Sequence, residues 1–374
     1  MPPQITDVDR IAQQKEIKMT TDNTRTDTIN VPEAPAIEGL VFRHFRGEED
    51  FSAMAEIIAD SREEDQLDFT ESADDLARNY RHLTNCDPAQ DMVFAEVAGK
   101  AIGYGRVFWA QVQNGPRVYA LLTNLTPTWR GKGIRRAMLH HCERRNREIA
   151  ADQNVDCAQK LEAWASDTET DWRGLLEEAG YQGIRFGFQM IREHLDGLPD
   201  LPLPDGLIVR EITAADYREV WSAAREAFRD HWGFSEEEWN DEALESWMES
   251  DIWQPHLWQV AWDGDEVAGM VLNFIDAKEN EKFHRKRGYT ETICVRRPWR
   301  RRGLARALIA RSIQVHKEQG MTETALGVDA ENPNGALQLY ESMGYKTTKR
   351  FTTYRKPIDT EPPTMGRDLD DTYP

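Results

Sequence analysis

Cysteine is scarce: four residues in 374, at positions 86, 142, 157 and 294, with no CxxC pair among them. That scatter excludes a disulfide framework and a cysteine-based zinc site, and it makes a reducing cytoplasm the expected location with no metal required. No apolar run approaches the roughly 20 residues that cross a bilayer. The first 36 residues are polar and show no apolar core of a secretory signal. Positive charge is in deficit too, with 46 Lys and Arg against 66 Asp and Glu and a net charge of −20. Long-range repulsion on that scale argues against nucleic acid as a partner, and the lack of a long apolar segment argues against a membrane. A length of 374 residues exceeds one typical domain and predicts two, and 40% hydrophobic content suffices for ordinary globular cores.

Against this acidic background stands one basic island, Arg296, Arg297, Arg300, Arg301, Arg302 and Arg306. It follows a short β-rich run, Thr290 to Val295, that Pro298 stops from continuing. The stretch from Leu304 to Gln319 reads as a helix, because Leu304 with Leu308, and Ala305 with Ile309 and Ile313, form i,i+4 apolar rows. Gly303 and Ala305 leave the backbone bare where that helix starts. Free N–H groups at a bare helix N-terminus form an anion site, so strand, basic glycine turn and helix together predict a cradle for a pyrophosphate.

These residues resemble the acyl-CoA loop of the GNAT superfamily of N-acyltransferases, Arg/Gln-x-x-Gly-x-Gly/Ala, met here by Arg300, Gly303 and Ala305. The family's second signature also follows in order: a strand Ala325–Asp329, then Asn332-Pro-Asn-Gly-Ala336, Leu339-Tyr340-Glu341 and Gly344-Tyr345. The resemblance implies acetyl-CoA as co-substrate. It places Ile293, Val295, Arg300, Arg301, Arg302, Gly303, Leu304, Ala305 and Asn332 at the cofactor.

The chain also repeats itself. Val93–Gly103 and Leu257–Gly269 each read as two strands around a turn. Trp129-Arg-Gly-Lys-Gly-Ile134 recurs as Trp299-Arg-Arg-Arg-Gly-Leu304, and Gly180-Tyr181 recurs as Gly344-Tyr345. A nearly constant spacing between the paired markers indicates internal duplication. The expected organisation is a disordered arm (1–38), a degenerate GNAT-like domain (39–192), a proline-bearing linker (193–206), a catalytic GNAT domain (207–356) and an acidic disordered tail (357–374). The fold class is α+β: two tandem GNAT domains, each a mixed, mostly antiparallel sheet flanked by helices. This tandem plan is similar to that of the mycothiol synthase family.

The halves differ in chemistry-bearing residues. Leu176 and Thr168 stand where the second half has Tyr340 and Asn332, and Arg135 stands where the loop pattern has Gly or Ala. Either Arg135 points to solvent and CoA still binds, or the first loop is vestigial. In the second half the resemblance implies acetyl transfer to a primary amine within a ternary complex. Such an amine, with a lysine-like pKa of about 10.4, is under roughly 0.1% neutral at pH 7, so a base helps greatly. Glu291 is the candidate base, expected to share a strand face with Ile293 and Val295 by alternation. Tyr340 is the candidate acid for the departing thiolate. Asn332 is expected to cap a helix beginning at Pro333. His231 and Trp232 are candidates for the acceptor pocket, with aromatic packing as their bland alternative. The acceptor is a small-molecule or peptide amine. An amino-sugar thiol of the mycothiol type and a non-catalytic CoA sensor remain as alternatives.

Overall fold

The computed structural model describes residues 27–68, 71–198 and 200–359. The expected arm up to residue 26 and the tail beyond 359 lie outside the described residues. From Asp27 onward the arm packs: Thr28 bridges to Arg43, and Val31 is buried in the first half's core.

The first half runs β1 (Leu40–Arg43), α1 (Phe51–Glu64), α2 (Ala73–Arg81), α3 (Pro88–Asp91), β2 (Met92–Val97), β3 (Lys100–Gln111), β4 (Arg117–Leu125), α4 (Ile134–Asp152), β5 (Gln159–Ser166), α5 (Thr170–Glu178) and β6 (Gln182–Glu193). The second repeats it: β7 (Ile208–Val209), α6 (Tyr217–Phe228), α7 (Asp241–Met248), β8 (Gln259–Asp263), β9 (Glu266–Phe274), α8 (Ala277–Lys282), β10 (Arg287–Val295), α9 (Leu304–Glu318), β11 (Glu323–Asp329), α10 (Ala336–Ser342) and β12 (Lys346–Pro357). The duplication read from sequence is therefore present strand by strand, although among the described residues α3 before β2 and α8 before β10 have no α-helical counterpart in the other half. Helix α9 forms as its pattern predicts, with Leu304, Leu308, Ile309 and Ile313 on its buried stripe.

All twelve strands form one sheet in the order β1-β2-β3-β4-β5-β12-β6-β11-β10-β9-β8-β7. The two final strands have changed places. β12 pairs with β5 from Phe351↔Ser166 to Pro357↔Lys160, and β6 pairs with β11 from Glu323↔Glu193 to Asp329↔Gly187. The cores record the exchange: Tyr354 of β12 sits in the first half's core and Met190 of β6 in the second's. Lys356 carries a charge into the first core and meets Glu143 at 2.6 Å, both side chains at 1% exposure or less. A buried pair of that kind is costly unless matched, so it favours the register that satisfies it.

In each half one pair of strands is parallel and then separates. β10 and β11 pair from Arg287↔Glu323 to Tyr289↔Ala325, and β4 and β5 from Arg117↔Gln159 to Ala120↔Glu162. Beyond those points each sheet is split, and the second-half split is where the candidate residues gather.

Candidate active site

The glycine turn before α9 has the backbone that an anion cradle needs. Arg301 has φ +64° and Gly303 φ +86°, and no side chain caps the helix that Gly303 opens. A Cβ built on Gly303 would meet no atom within 4 Å, so the first-turn N–H groups face open space. Arg300 is held from two sides: its Nε donates to Val295 O at 2.9 Å and its Nη1 to Asp230 at 2.8 Å. Bonds from Arg297 and then Arg300 lower the Asp230 carboxyl to about 2.

Around this turn lies a cleft of about 350 Å³, lined among others by Ile293, Val295, Arg300, Arg301, Gly303, Leu304, Ala305, Asn332 and Tyr340. The expected cofactor residues thus come together, except that Arg302 is exposed and outside the lining. Arg306, Asn334 and Ala336 line it as well. The i,i+3 spacing of Arg306 from Gly303 could have revealed the first of these. Cys294 borders the cleft as a buried residue whose thiol burial raises to about 12, an unreactive group.

Tyr340 is 6% exposed and reaches the cleft from α10. Burial, and next the charge of Glu291, push its phenol well above the usual range, so it stays protonated. Asn332 does not cap a helix at Pro333: α10 starts at Ala336 after Gly335 at φ +73°, and Asn332 Oδ1 instead accepts from Asn334 N at 2.9 Å. A local Asx turn outcompetes the cap because Gly335 alone takes the left-handed conformation without strain.

Glu291 corrects the expected alternation. A bulge between Glu291 and Cys294 places Thr292 at φ +47° and adds a residue to β10 against β9. The extra residue turns Glu291 away from Ile293 and Val295. Glu291 lines a second cleft of about 270 Å³ with Gly187, Phe188, Gln189, Tyr289, Leu326, Gly327, Val328 and Phe351. Across the split, Gly327 N donates to its Oε1 at 3.0 Å. Burial raises the carboxyl to about 7, opposed by that single N–H. β10 borders both clefts, with Glu291 in one and Tyr340 lining the other.

His231 and Trp232 do not lie together. His231 lines the cleft beside the glycine turn, packed on Phe228 at 4.3 Å between ring centroids, and burial lowers its pKa so that it is neutral. Trp232 lies in neither cleft; it stacks under Arg185 and Arg355. Neighbours in sequence on an irregular loop point apart, so adjacency alone could not place both.

The first half keeps the turn, beside a cleft of about 480 Å³ lined among others by Arg130, Gly131, Gly133, Arg135 and Arg136. Gly131 and Gly133 have φ +70° and +82°, and Arg130 is pinned by both oxygens of Asp65 at 2.7 Å, where Arg300 makes one bond to Asp230. Arg135, however, points inward rather than to solvent. Its Nη2 donates to Thr123 O at 2.7 Å and its Nε to Thr123 Oγ1 at 3.1 Å, with the guanidinium over the Trp172 ring at 4.3 Å. Arg135 thus sets a guanidinium against Thr123 where the second half has the small Ala305. β4 also lacks the bulge, and the ladder puts Leu122 opposite Arg106 where Glu291 stands opposite Leu272.

The split strand pair, the bare helix start after Gly303 and the two clefts along β10 agree with an acyl-group transferase. Residues 219–345 match the acetyltransferase (GNAT) family. The mycothiol acetyltransferase of Salinispora tropica is 27% identical over 252 residues, covering 66% of this chain and 80% of that protein. The N-alpha-acetyltransferase MAK3 of Arabidopsis thaliana is 38% identical over 86 residues, covering 23% of this chain and 45% of that one. Among solved structures, a GCN5-related N-acetyltransferase from Sphaerobacter thermophilus superposes with a TM-score of 0.63 at 25% identity, covering 86% of this chain and 96% of that one. A tandem GNAT protein from the clavulanic acid biosynthesis pathway has the same fold at TM-score 0.62 and 14% identity, over 86% and 99% of the two chains. The second half thus matches the GNAT acetyltransferase family, and the chain as a whole is an acyltransferase with the fold of tandem GNAT proteins.

Proposed function

We propose that the second half moves an acetyl group from acetyl-CoA directly to a primary amine, with both substrates bound at once. The observation that carries this reading is the pair of clefts bordered by β10, one around the glycine turn with Tyr340 and one holding Glu291; the first would take the phosphate-bearing thioester and the second the acceptor. The N–H groups after Gly303, with Arg301 and Arg306 beside them, fit the pyrophosphate. The carbonyl would lie at the bulge, where a strand N–H no longer used by the ladder stabilises the developing oxyanion; such a donor is typically worth about 10²–10³ in rate. Glu291, ionised above about pH 7, takes the amine proton from the opposite cleft. The nitrogen attacks the carbonyl carbon, the C–S bond breaks, and Tyr340 returns a proton to the leaving sulfur.

Two features bear on the acceptor. Phe188, Tyr289, Phe351, Leu326 and Val328 give the second cleft an apolar lining with Gln189 and Glu291 as its polar side chains. The relatives that match over most of their length are mycothiol acetyltransferases, which supports an amino-sugar acceptor carrying a thiol; the N-alpha-acetyltransferases match over a shorter stretch and support a peptide amine less. The test is calorimetry with acetyl-CoA on the wild type and Gly303→Trp, joined to turnover by Tyr340→Phe. One site lost in Gly303→Trp, and a kcat lowered about 10²-fold or more in Tyr340→Phe with acetyl-CoA affinity kept, is expected. A binding site that survives Gly303→Trp would sink the assignment to the second half.

A further inference from the structure

The acceptor cleft is not built by the second half alone. Gly187, Phe188 and Gln189 come from β6, a first-half strand. One further first-half side chain reaches its walls. Asp68, in the turn after α1, accepts from Arg285 Nη1 at 2.5 Å and Arg287 Nη1 at 2.7 Å, where β10 begins. It also accepts from Lys349 Nζ of β12 at 3.1 Å and Gln189 Nε2 of β6 at 3.4 Å. Its partners extend the ties. Arg287 Nε donates to Glu323 of β11 at 2.7 Å, and Arg285 Nη2 to the hydroxyl of Tyr289, a wall of the cleft, at 3.2 Å. Each of the four strands that line the cleft is thereby connected to one carboxylate.

The charges around it balance. Arg285, Arg287 and Lys349 face Asp68, Glu279 and Glu323, and Arg285 is also paired with Glu279. Burial alone would raise the Asp68 carboxyl, but the bond from Arg285, the charge of Lys349 and the bond from Arg287 hold it well below the usual range. Removing Asp68 would leave one unbalanced cation at the end of the cleft that a protonated amine must enter, and would untie β10 from β6 and β12. The first half supplies none of the reacting groups, yet it fixes the ground on which they meet.

Resting on the acceptor reading of the Glu291 cleft, we infer that Asp68 is a positioning residue for that cleft, setting both the spacing of its four strands and its charge. The experiment uses the full chain with acetyl-CoA and three probe amines: a cysteinyl amino sugar, a tripeptide and spermidine. Asp68→Asn is expected to raise the KM for the amine about 10-fold or more and to lower kcat, with the acetyl-CoA affinity within about 2-fold of wild type. The double variant Asp68→Asn/Lys349→Met is neutral again and recovers part of the amine KM, a response that a role in stability alone would not give. Unchanged amine kinetics in Asp68→Asn, or equal losses for both substrates, overturn the inference. Glu291→Gln separates the two levels. If it retains full rate, the cleft is not the acceptor site and the function reading falls. If it is crippled while Asp68→Asn is silent, only the role of Asp68 falls. A wild type that transfers to none of the three amines overturns both.

Discussion

The two halves share a fold, a glycine turn and a pinned loop arginine, and differ at a handful of side chains inside the split. The comparison sorts structural residues from chemical ones. Arg130 and Arg300 are each held by an aspartate, Asp65 through two bonds and Asp230 through one, although Arg135 reaches inward in one half and the small Ala305 stands in the other. A pairing that persists in both halves belongs to the loop's shape. Glu291, Tyr340, Asn332 and the β10 bulge occur in one half only, opposite Leu122, Leu176, Thr168 and an unbroken ladder. What is confined to the second half is what the proposed chemistry uses.

The largest effect that would break this comparison comes from separating the halves. Residues 207–359 expressed alone lack β6, which leaves β11 an unpaired edge and removes Met190 from the second core. Such a fragment is expected to lose cooperative unfolding and acetyl-CoA binding, as followed by circular dichroism melting and calorimetry. A well-folded fragment that binds acetyl-CoA would show the exchange to be dispensable.

Next in size is Glu291→Gln, expected to lower kcat by about 10²–10⁴, the usual range for a general base. The pH profile carries the sign. The carboxyl, raised to about 7, is protonated below that pH and ionised above it, so wild-type kcat/KM should rise with pH and level off above about 7. Glu291→Gln should abolish that limb; a limb that stays in place would assign the base elsewhere.

The smallest change sharpens the comparison at one position. Ala305→Arg copies the first half's arginine and is expected to weaken acetyl-CoA binding about 10²-fold or more by filling the cleft, as one unplaced group near the chemistry can. The converse, Arg135→Ala, removes the inward guanidinium from the first half and should add a weak second acetyl-CoA site visible as a stoichiometry above one. Failure of both would mean that the residue after the glycine turn does not decide which half binds.

The class of fold, the duplication and the cofactor turn were legible in the amino-acid sequence, because each rests on local pattern: apolar rows at i,i+4, paired strands around turns, and glycines where the backbone must be bare. The same repetition set the halves apart, with Tyr340 and Asn332 in the second where the first has Leu176 and Thr168. The tertiary structure alone decided three things. The exchange of β6 and β12 depends on which distant strand satisfies Lys356 and Met190, and neither half's local pattern differs between exchanged and unexchanged pairing. The side of the sheet that Glu291 faces was set by a bulge at Thr292, a one-residue shift that alternation cannot foresee. The inward turn of Arg135 and the reach of Asp68 across the halves were settled by long side chains finding partners far away in the chain. Local sequence fixes backbone preference, whereas the direction of a charged side chain follows from what lies within a few ångströms once the chain has closed on itself.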